Sequence, residues 1–141
     1  RKNNFKRFIM TEGVPRIWRN QKARYNLMGA TCETCSESFF PARKICPKCR
    51  RKGKLVEAQM PDTGKIYSFT AVYSAPFGFE YEVPYHLAIV ELDNKVKLLT
   101  QIVDTDDEKV KIGARVKAIF RRIQSGGEEG AIAYGCKFKV V

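Results

Sequence analysis

The feature that most constrains this chain is a pair of cysteine turns in its first half. Cys32 and Cys35 form one C-x-x-C turn, and Cys46 and Cys49 form a second one after ten intervening residues. Each turn aims two sulfurs at one point, so two facing turns complete a tetrahedron of thiolates. Four thiolates saturate Zn²⁺ and leave no position for water or substrate, which predicts a structural zinc site. Iron fits the same ligand cage, but zinc is the favoured ion.

The cysteine count argues against a disulfide framework. The chain has five cysteines, an odd number, whereas disulfide scaffolds use even sets in oxidising compartments. Thiolate ligands suit a reducing compartment, and no apolar stretch has the length of a membrane span or of a secretory signal. We therefore expect a cytoplasmic protein. The remaining cysteine, Cys136, lies in a predicted strand and is interpreted as a small buried hydrophobe rather than a reactive thiol.

The charge is distributed unevenly along the chain. The net charge is +11; residues 1–59 hold 15 Lys and Arg against 4 Asp and Glu, whereas residues 60–141 hold 11 of each kind. The whole positive excess therefore lies in the first 59 residues. A basic first part and a neutral second part predict two domains with different roles, with the boundary between residues 59 and 60.

The segment before the cysteines has the pattern of a helix. Pro15 suits the first helical position, and four apolar residues fall near one helical face, namely Val14, Trp18, Tyr25 and Met28. A short strand is expected to follow and to lead to Cys32. The stretch 50–54 contains only charged residues and glycine, so it is predicted to be an exposed linker.

From Gly64 onward the apolar pattern has a period of two, which is typical of β-strands. In the first strand this period places Tyr67, Phe69, Ala71 and Tyr73 on one face. The predicted turns lie at 93–95 and at Gly126-Gly127. Five short strands without a long helix between them favour a small closed or partly open barrel such as the OB-fold. The predicted strands are 65–73, 87–92, 96–103, 115–121 and 131–140.

Signatures of catalysis are missing from the sequence. It contains one histidine, His86, and none of the motifs G-x-S-x-G, G-x-x-x-x-G-K-[ST] or G-x-G-x-x-G. His86 begins an apolar strand and is interpreted as a structural residue rather than a general base. The carboxylates between Asp104 and Glu108 are interpreted as solvated surface. We therefore expect that the chain is not an enzyme.

An aromatic loop separates the first two barrel strands. Phe77, Phe79, Tyr81 and Tyr85 lie within nine residues. Loops normally avoid this much apolar area unless it packs inward or binds something. Two interpretations stay open with equal weight: a loop folded over the barrel as additional core, and a contact surface for a ligand or partner.

Seven segments carry a resemblance that covers nearly the whole chain: Pro15-Arg-Ile-Trp18, Tyr25-Asn-Leu-Met-Gly29, Phe39-Phe-Pro-Ala-Arg43, Cys46-Pro-Lys-Cys49, Gly64-Lys-Ile-Tyr-Ser-Phe-Thr70, Ile112-Gly-Ala-Arg-Val116 and Tyr134-Gly-Cys-Lys-Phe138. With them the chain resembles the archaeal and bacterial proteins that join a rubredoxin-like zinc ribbon to an acyl-CoA-associated OB-fold. One departure concerns the backbone after each cysteine turn, where such proteins often have a glycine in a left-handed conformation. This chain has Ser36 and Arg50 there.

The resemblance implies a mainly β fold, with an N-terminal helix and rubredoxin-like zinc ribbon in 1–59 and a five-stranded OB-fold barrel in 60–141. It also implies a non-catalytic accessory or scaffold protein that docks on a thiolase or a hydroxymethylglutaryl-CoA synthase, with acyl-CoA as a candidate ligand. An acidic partner face or the CoA phosphates would suit the basic first part. The residues expected at the ligand or partner surface are Trp18, Arg19, Lys22, Arg43, Phe77, Phe79 and Tyr81.

Nucleic-acid binding is the competing hypothesis, because zinc ribbons and OB-folds both occur in nucleic-acid-binding proteins. A groove for single strands needs Lys and Arg interleaved with aromatic residues on the barrel itself. Here the barrel part is neutral and the positive charge lies in the first part. The basic part could still bind phosphates without sequence preference, so this alternative stays open behind the scaffold interpretation.

Overall fold

The structure is a computed structural model that describes residues 14–74, 76, 79, 81–125 and 132–141. It confirms the predicted fold class: a helix, a small sheet that carries the cysteines, and a closed five-stranded barrel. Phe77 and the turn predicted at Gly126-Gly127 lie outside the described residues. Within the described ranges, no helix combines the length and apolar character that crossing a bilayer requires.

Helix α1 (Val14–Asn26) contacts the barrel through its last turn. The Tyr25 ring meets the Phe120 ring edge-on, with centroids 4.9 Å apart, and the Tyr25 carbonyl lies 3.6 Å from Cys136 Sγ. The predicted common apolar face is wrong, because Trp18 remains 74% exposed and Met28 belongs to the following strand. The Tyr25 contacts with the barrel belong to the last turn of α1, whereas the Trp18 side chain remains exposed.

The cysteine region is built on a three-stranded antiparallel sheet with the order β2-β1-β3. The first strand leads directly into Cys32, as predicted, whereas the other two were not predicted because they are short and lack clear alternation. The third strand follows the stretch 50–54 and pairs along the whole first strand. The strands are β1 (Met28–Cys32), β2 (Ser38–Phe39) and β3 (Leu55–Gln59).

The remaining strands form a closed barrel with the order β4-β5-β6-β8-β7. All neighbours are antiparallel except β6 and β8, which run parallel. All five predicted strands have a counterpart here. Their bounds are β4 (Thr63–Val72), β5 (Tyr85–Leu92), β6 (Lys97–Ile102), β7 (Arg115–Ser125) and β8 (Ile132–Val140).

The core inside the barrel includes side chains from outside the strands. Phe138 and Val116 are fully buried at its centre. Leu27, which follows α1, and Met60, which follows β3, belong to the same cluster. The Met60 amide also donates a hydrogen bond of 2.9 Å to the Leu27 carbonyl. The cysteine sheet is therefore tied to the barrel by apolar packing as well as by the chain.

A β-bulge in β4 changes which side chains face outward. The register shifts between Ile66 and Ser68, so Tyr67 is the extra residue of the bulge. Beyond it, Phe69 pairs with the buried Ala88 and shares its face. The predicted placement of Tyr67 and Phe69 on one face is therefore wrong, because the inserted residue breaks the period of two.

Candidate metal centre and interaction surfaces

The structure brings the four predicted cysteines together. Their Sγ atoms all lie within 4.8 Å of one another, and the Sγ atoms of Cys35 and Cys46 are 3.6 Å apart. A tetrahedral Zn²⁺ with bonds of about 2.3 Å requires sulfurs about 3.8 Å apart. Cys32 and Cys46 are fully buried, so the site is closed on the protein side. The four thiols fit a structural zinc ion.

Two residues in the left-handed conformation end the cysteine turns. Ser36 has φ 57° and Arg50 has φ 52°, at the two positions where related knuckles often have glycine. The Ser36 amide donates to the Cys32 carbonyl at 2.7 Å, and the Arg50 amide donates to the Cys46 carbonyl at 2.8 Å. These bonds close each turn, and they compensate for the steric cost of a side chain in this conformation.

The electrostatics of the cluster favour a bound cation. The hydrogen bond with the Cys35 side chain, followed by burial, raises the pKa of Cys49 to about 12. Burial also opposes ionisation of Cys32, but the backbone amides of Cys35 and Thr34 outweigh it and lower the pKa of Cys32 to about 6. Adjacent thiolates repel one another, so the cluster cannot ionise completely unless a cation compensates for the charge.

Gly53 shows how closely the chain packs around the sulfurs. A Cβ atom at this position would lie 2.8 Å from the Cys46 Cβ, 2.9 Å from the Cys49 Cβ and 3.4 Å from the Cys32 Sγ. Residues 50–54 are largely exposed, as predicted for a linker. Gly53 nevertheless packs against the second cysteine turn, a role that the linker interpretation missed.

We expect Gly53→Ala to weaken the metal centre. The added methyl group overlaps two Cβ atoms of the cysteine turn, so the turn must shift, at a cost of about 1–3 kcal/mol. Competition with a chromophoric zinc chelator measures this change as a lower affinity for zinc. Gly113→Ala is the control for strain away from the sulfurs, because Gly113 has φ 88°, which a side chain disfavours, and lies outside the cysteine sheet; it should leave zinc affinity unchanged. Equal zinc affinities of the two variants would contradict the packing argument.

The predicted contact residues of the first part lie on the surface in different settings. Trp18 and Arg19 are exposed on α1. The Lys22 ammonium is not free, because it forms an ion pair of 2.5 Å with Glu57 on β3. The Arg43 guanidinium lies 5.4 Å from the centroid of the Phe39 ring. Arg43 therefore belongs to the surface of the cysteine sheet, and Lys22 ties α1 to that sheet.

The aromatic loop is divided between packing and exposure. Tyr81 is fully exposed, whereas the partly buried Phe79 lies against Tyr85, with ring centroids 6.1 Å apart. Neither interpretation of the loop therefore applies to all of its described residues.

A buried lysine holds the end of this loop against the barrel. The Lys137 side chain, on β8, is 9% exposed, and its Nζ lies 3.3 Å from Glu82 Oε2. The Gln101 amide donates to the same oxygen at 2.9 Å. Sequence reasoning missed this contact, although a lysine within the apolar strand Gly135-Cys-Lys-Phe138 was a signal for it.

His86 lies near the start of β5 and contacts Asp107, which lies between β6 and β7. Its Nε2 lies 2.9 Å from Asp107 Oδ1, and its Nδ1 is buried with no hydrogen-bond partner among the described residues. A carboxylate only accepts hydrogen bonds, so Nε2 carries the proton in this contact. The contact ties β5 to the segment before β7. Burial raises the pKa of the Cys136 thiol, as expected for a packed rather than a reactive cysteine.

Comparisons with known proteins agree with this architecture. A family model described as the ChsH2 rubredoxin-like zinc ribbon domain matches residues 19–55, and one described as the ChsH2 C-terminal OB-fold domain matches residues 57–121. A solved structure of an Ltp2-ChsH2(DUF35) aldolase superimposes with a TM-score of 0.67 over 88% of this chain and 90% of that chain. Its sequence identity is 24%, so it supports the fold alone.

Relatives of greater similarity carry a common name. A DUF35 domain-containing scaffold protein of Methanocaldococcus jannaschii is 46% identical over 128 residues, which cover 91% of each chain. A protein of the same name from Methanothermobacter thermautotrophicus is 45% identical over 131 residues, which cover 93% of this chain and 98% of that protein. These matches confirm the resemblance, and the chain belongs to the family of DUF35 domain-containing scaffold proteins.

Proposed function

We propose that this protein is a non-catalytic scaffold that docks on an enzyme of acyl-CoA metabolism, such as a thiolase or a hydroxymethylglutaryl-CoA synthase. Acyl-CoA itself is a further proposed ligand. Three facts support the proposal: relatives named scaffold proteins, a zinc site closed by four cysteines, and exposed aromatic side chains on a folded chain. The absence of a catalytic motif from the sequence agrees with it.

The observation that carries the proposal is the exposure of Trp18. An indole that is 74% exposed leaves a large apolar area in water, and tryptophan is enriched among the residues that contribute most to protein interfaces. Arg19 follows it on the same helix, and arginine is also enriched at such positions. A partner face with an apolar pocket and carboxylates would suit this pair.

The first experiment identifies the partner. The purified protein is passed through an extract of the cells that make it, and co-eluting proteins are identified by mass spectrometry. We expect a thiolase or a hydroxymethylglutaryl-CoA synthase among the co-eluting proteins. Calorimetric titration with acetyl-CoA tests direct ligand binding separately. Co-elution of nucleic acid, together with micromolar binding of single-stranded DNA at about 150 mM salt, would instead favour the nucleic-acid hypothesis.

We expect Trp18→Ala to weaken the complex about 30-fold, which corresponds to a loss of about 2 kcal/mol at an interface hot spot. The melting temperature should not change, because the side chain is exposed. Ile112→Ala is the control, since Ile112 is exposed to a similar extent, 71%, and lies outside the proposed surface. Calorimetry with the co-eluting enzyme measures both affinities, and equal losses in the two variants would remove Trp18 from the interface.

We expect Arg19→Glu to weaken the same complex and to flatten its dependence on salt between about 50 and 300 mM, because one attractive charge becomes repulsive. Arg19 is a sharper test than Lys22, whose reversal would also break the ion pair with Glu57. An affinity of the unaltered protein that does not change over this salt range would show that the basic surface contributes only to solubility.

A further inference from the structure

A row of apolar side chains crosses the outside of the barrel. Ile89 on β5 pairs with Leu99 on β6, and the bulge places Tyr67 of β4 beside Ile89. All three side chains face solvent, with exposures of 51% for Tyr67, 36% for Ile89 and 70% for Leu99. These three residues, the apolar row, span three adjacent strands. Single exposed apolar residues are ordinary, but a contiguous set marks an interaction site.

Charged residues border the apolar row on one side. The Glu91 carboxylate lies between two lysines, 3.2 Å from Lys65 Nζ and 3.7 Å from Lys97 Nζ. The Lys97 ammonium also lies 3.3 Å from the centroid of the Tyr67 ring, a cation–π contact. Two cations and one anion leave this border with an excess of positive charge. The bulge and these contacts fix Tyr67 in place, so little conformational freedom would be lost when a partner binds.

We propose that the apolar row is a docking site for a protein whose own surface has an apolar centre bordered by carboxylates. This inference rests on the proposed function for the identity of the partner, which is the acyl-CoA enzyme. The apolar row itself lies on the barrel, outside the helix and loop residues that were predicted to make contact. Burial of Leu99 and Ile89 would supply the affinity, and Lys65 and Lys97 would supply the orientation.

Two other occupants fit the apolar row less well. A single nucleic-acid strand needs aromatic faces on which bases can stack, whereas two of the three side chains are aliphatic and Lys97 covers the Tyr67 ring. A second copy of this chain fits less well because both copies have a net charge of +11. Two chains with the same net charge repel each other, which opposes association.

A photo-crosslinking experiment tests the docking site. p-Benzoylphenylalanine replaces Leu99 in the full chain and, as the control, Ile112, whose exposure of 71% matches the 70% of Leu99. Crosslinking is performed in the cells that make the protein, and the linked peptides are identified by mass spectrometry. We expect position 99 to crosslink to the acyl-CoA enzyme, on a peptide that contains carboxylates, at least ten times more often than position 112. In calorimetry, Leu99→Asp should weaken that complex at least ten-fold, and Ile112→Asp should not.

The outcomes separate this inference from the proposed function. Co-elution of the acyl-CoA enzyme without a crosslink from position 99 would overturn the docking site and leave the proposed function standing. A specific crosslink from position 99 to an acidic protein outside acyl-CoA metabolism, weakened by Leu99→Asp and found where no acyl-CoA enzyme co-elutes, would support the docking site and overturn the proposed function. Crosslinks to a second copy of this chain, to nucleic acid, or equally from both positions would overturn the docking site.

Discussion

Cys46→Ser is expected to abolish zinc binding and to unfold the three-stranded sheet β1–β3. A serine hydroxyl is a poor replacement for a thiolate, and a structural zinc site contributes about 10–16 kcal/mol to the folding of the segment that it holds. The sheet is small, since β2 contains two residues, so it depends on the metal in addition to its packing on the barrel. The barrel should remain largely folded because its strands bury their own core. Elemental analysis should show one zinc per chain before the substitution and none after it.

Amide hydrogen exchange separates the two parts in this experiment. Protection should disappear from β1 and β3 and persist in β5 and β6. Cys136→Ser is the matched control, because Cys136 lies on β8, outside the metal centre, and it should keep both zinc and the protection of β1. An unaltered protein that contains no metal in an absorption-edge scan, or a Cys46→Ser variant that retains its zinc, would contradict the assignment.

Glu82→Ala is expected to destabilise the protein by about 3 kcal/mol, the lower end of the range for removing one partner of a buried ion pair. The Lys137 side chain is 9% exposed, so without the carboxylate its charge would remain buried and unpaired. Lys137→Met should cost less, because methionine has a similar length and leaves no buried charge behind. Glu82, which is 29% exposed, would then be hydrated.

Urea denaturation of the zinc-loaded protein measures both changes, and the double variant Glu82→Ala with Lys137→Met completes the cycle. The double variant should be more stable than Glu82→Ala alone, because the unpaired ammonium is then absent. A free energy of unfolding for Glu82→Ala within about 0.5 kcal/mol of the unaltered protein, as is typical of surface substitutions, would show that the pair is solvated and contributes little.

The zinc centre was predictable because its signal is local. The spacing of the cysteines alone determines which sulfurs can meet, and the positions of Ser36 and Arg50 marked where the backbone becomes left-handed. The role of Gly53 was not predictable, since it depends on how the chain returns to the second cysteine turn. The short strand β3 forms only because it pairs with β1, a contact that leaves no periodic signal in its own sequence.

In the barrel, too, some features were predictable from local sequence patterns and others were not. Alternation predicted all five strands, but one inserted residue at Tyr67 reversed the faces beyond it, and no local pattern announces such a bulge. The predicted stripe on α1 was wrong at Trp18 because periodicity describes a helix face and not the length over which a neighbour covers it. The contact between Lys137 and Glu82 joins residues far apart in the chain, and charge counts along the sequence do not reveal such a pair.

The position of Leu27 has a consequence for how this protein can be dissected. A fragment that begins at Met60 would retain every strand of the barrel, yet the core would have an empty volume where the Leu27 side chain belongs. The Met60 amide would also lose the carbonyl to which it donates. A cut before Leu27 would keep that side chain with the barrel, but the resulting fragment would also contain the whole zinc centre. Neither part is therefore a portable unit, and a transplanted barrel would need a substitute for one leucine.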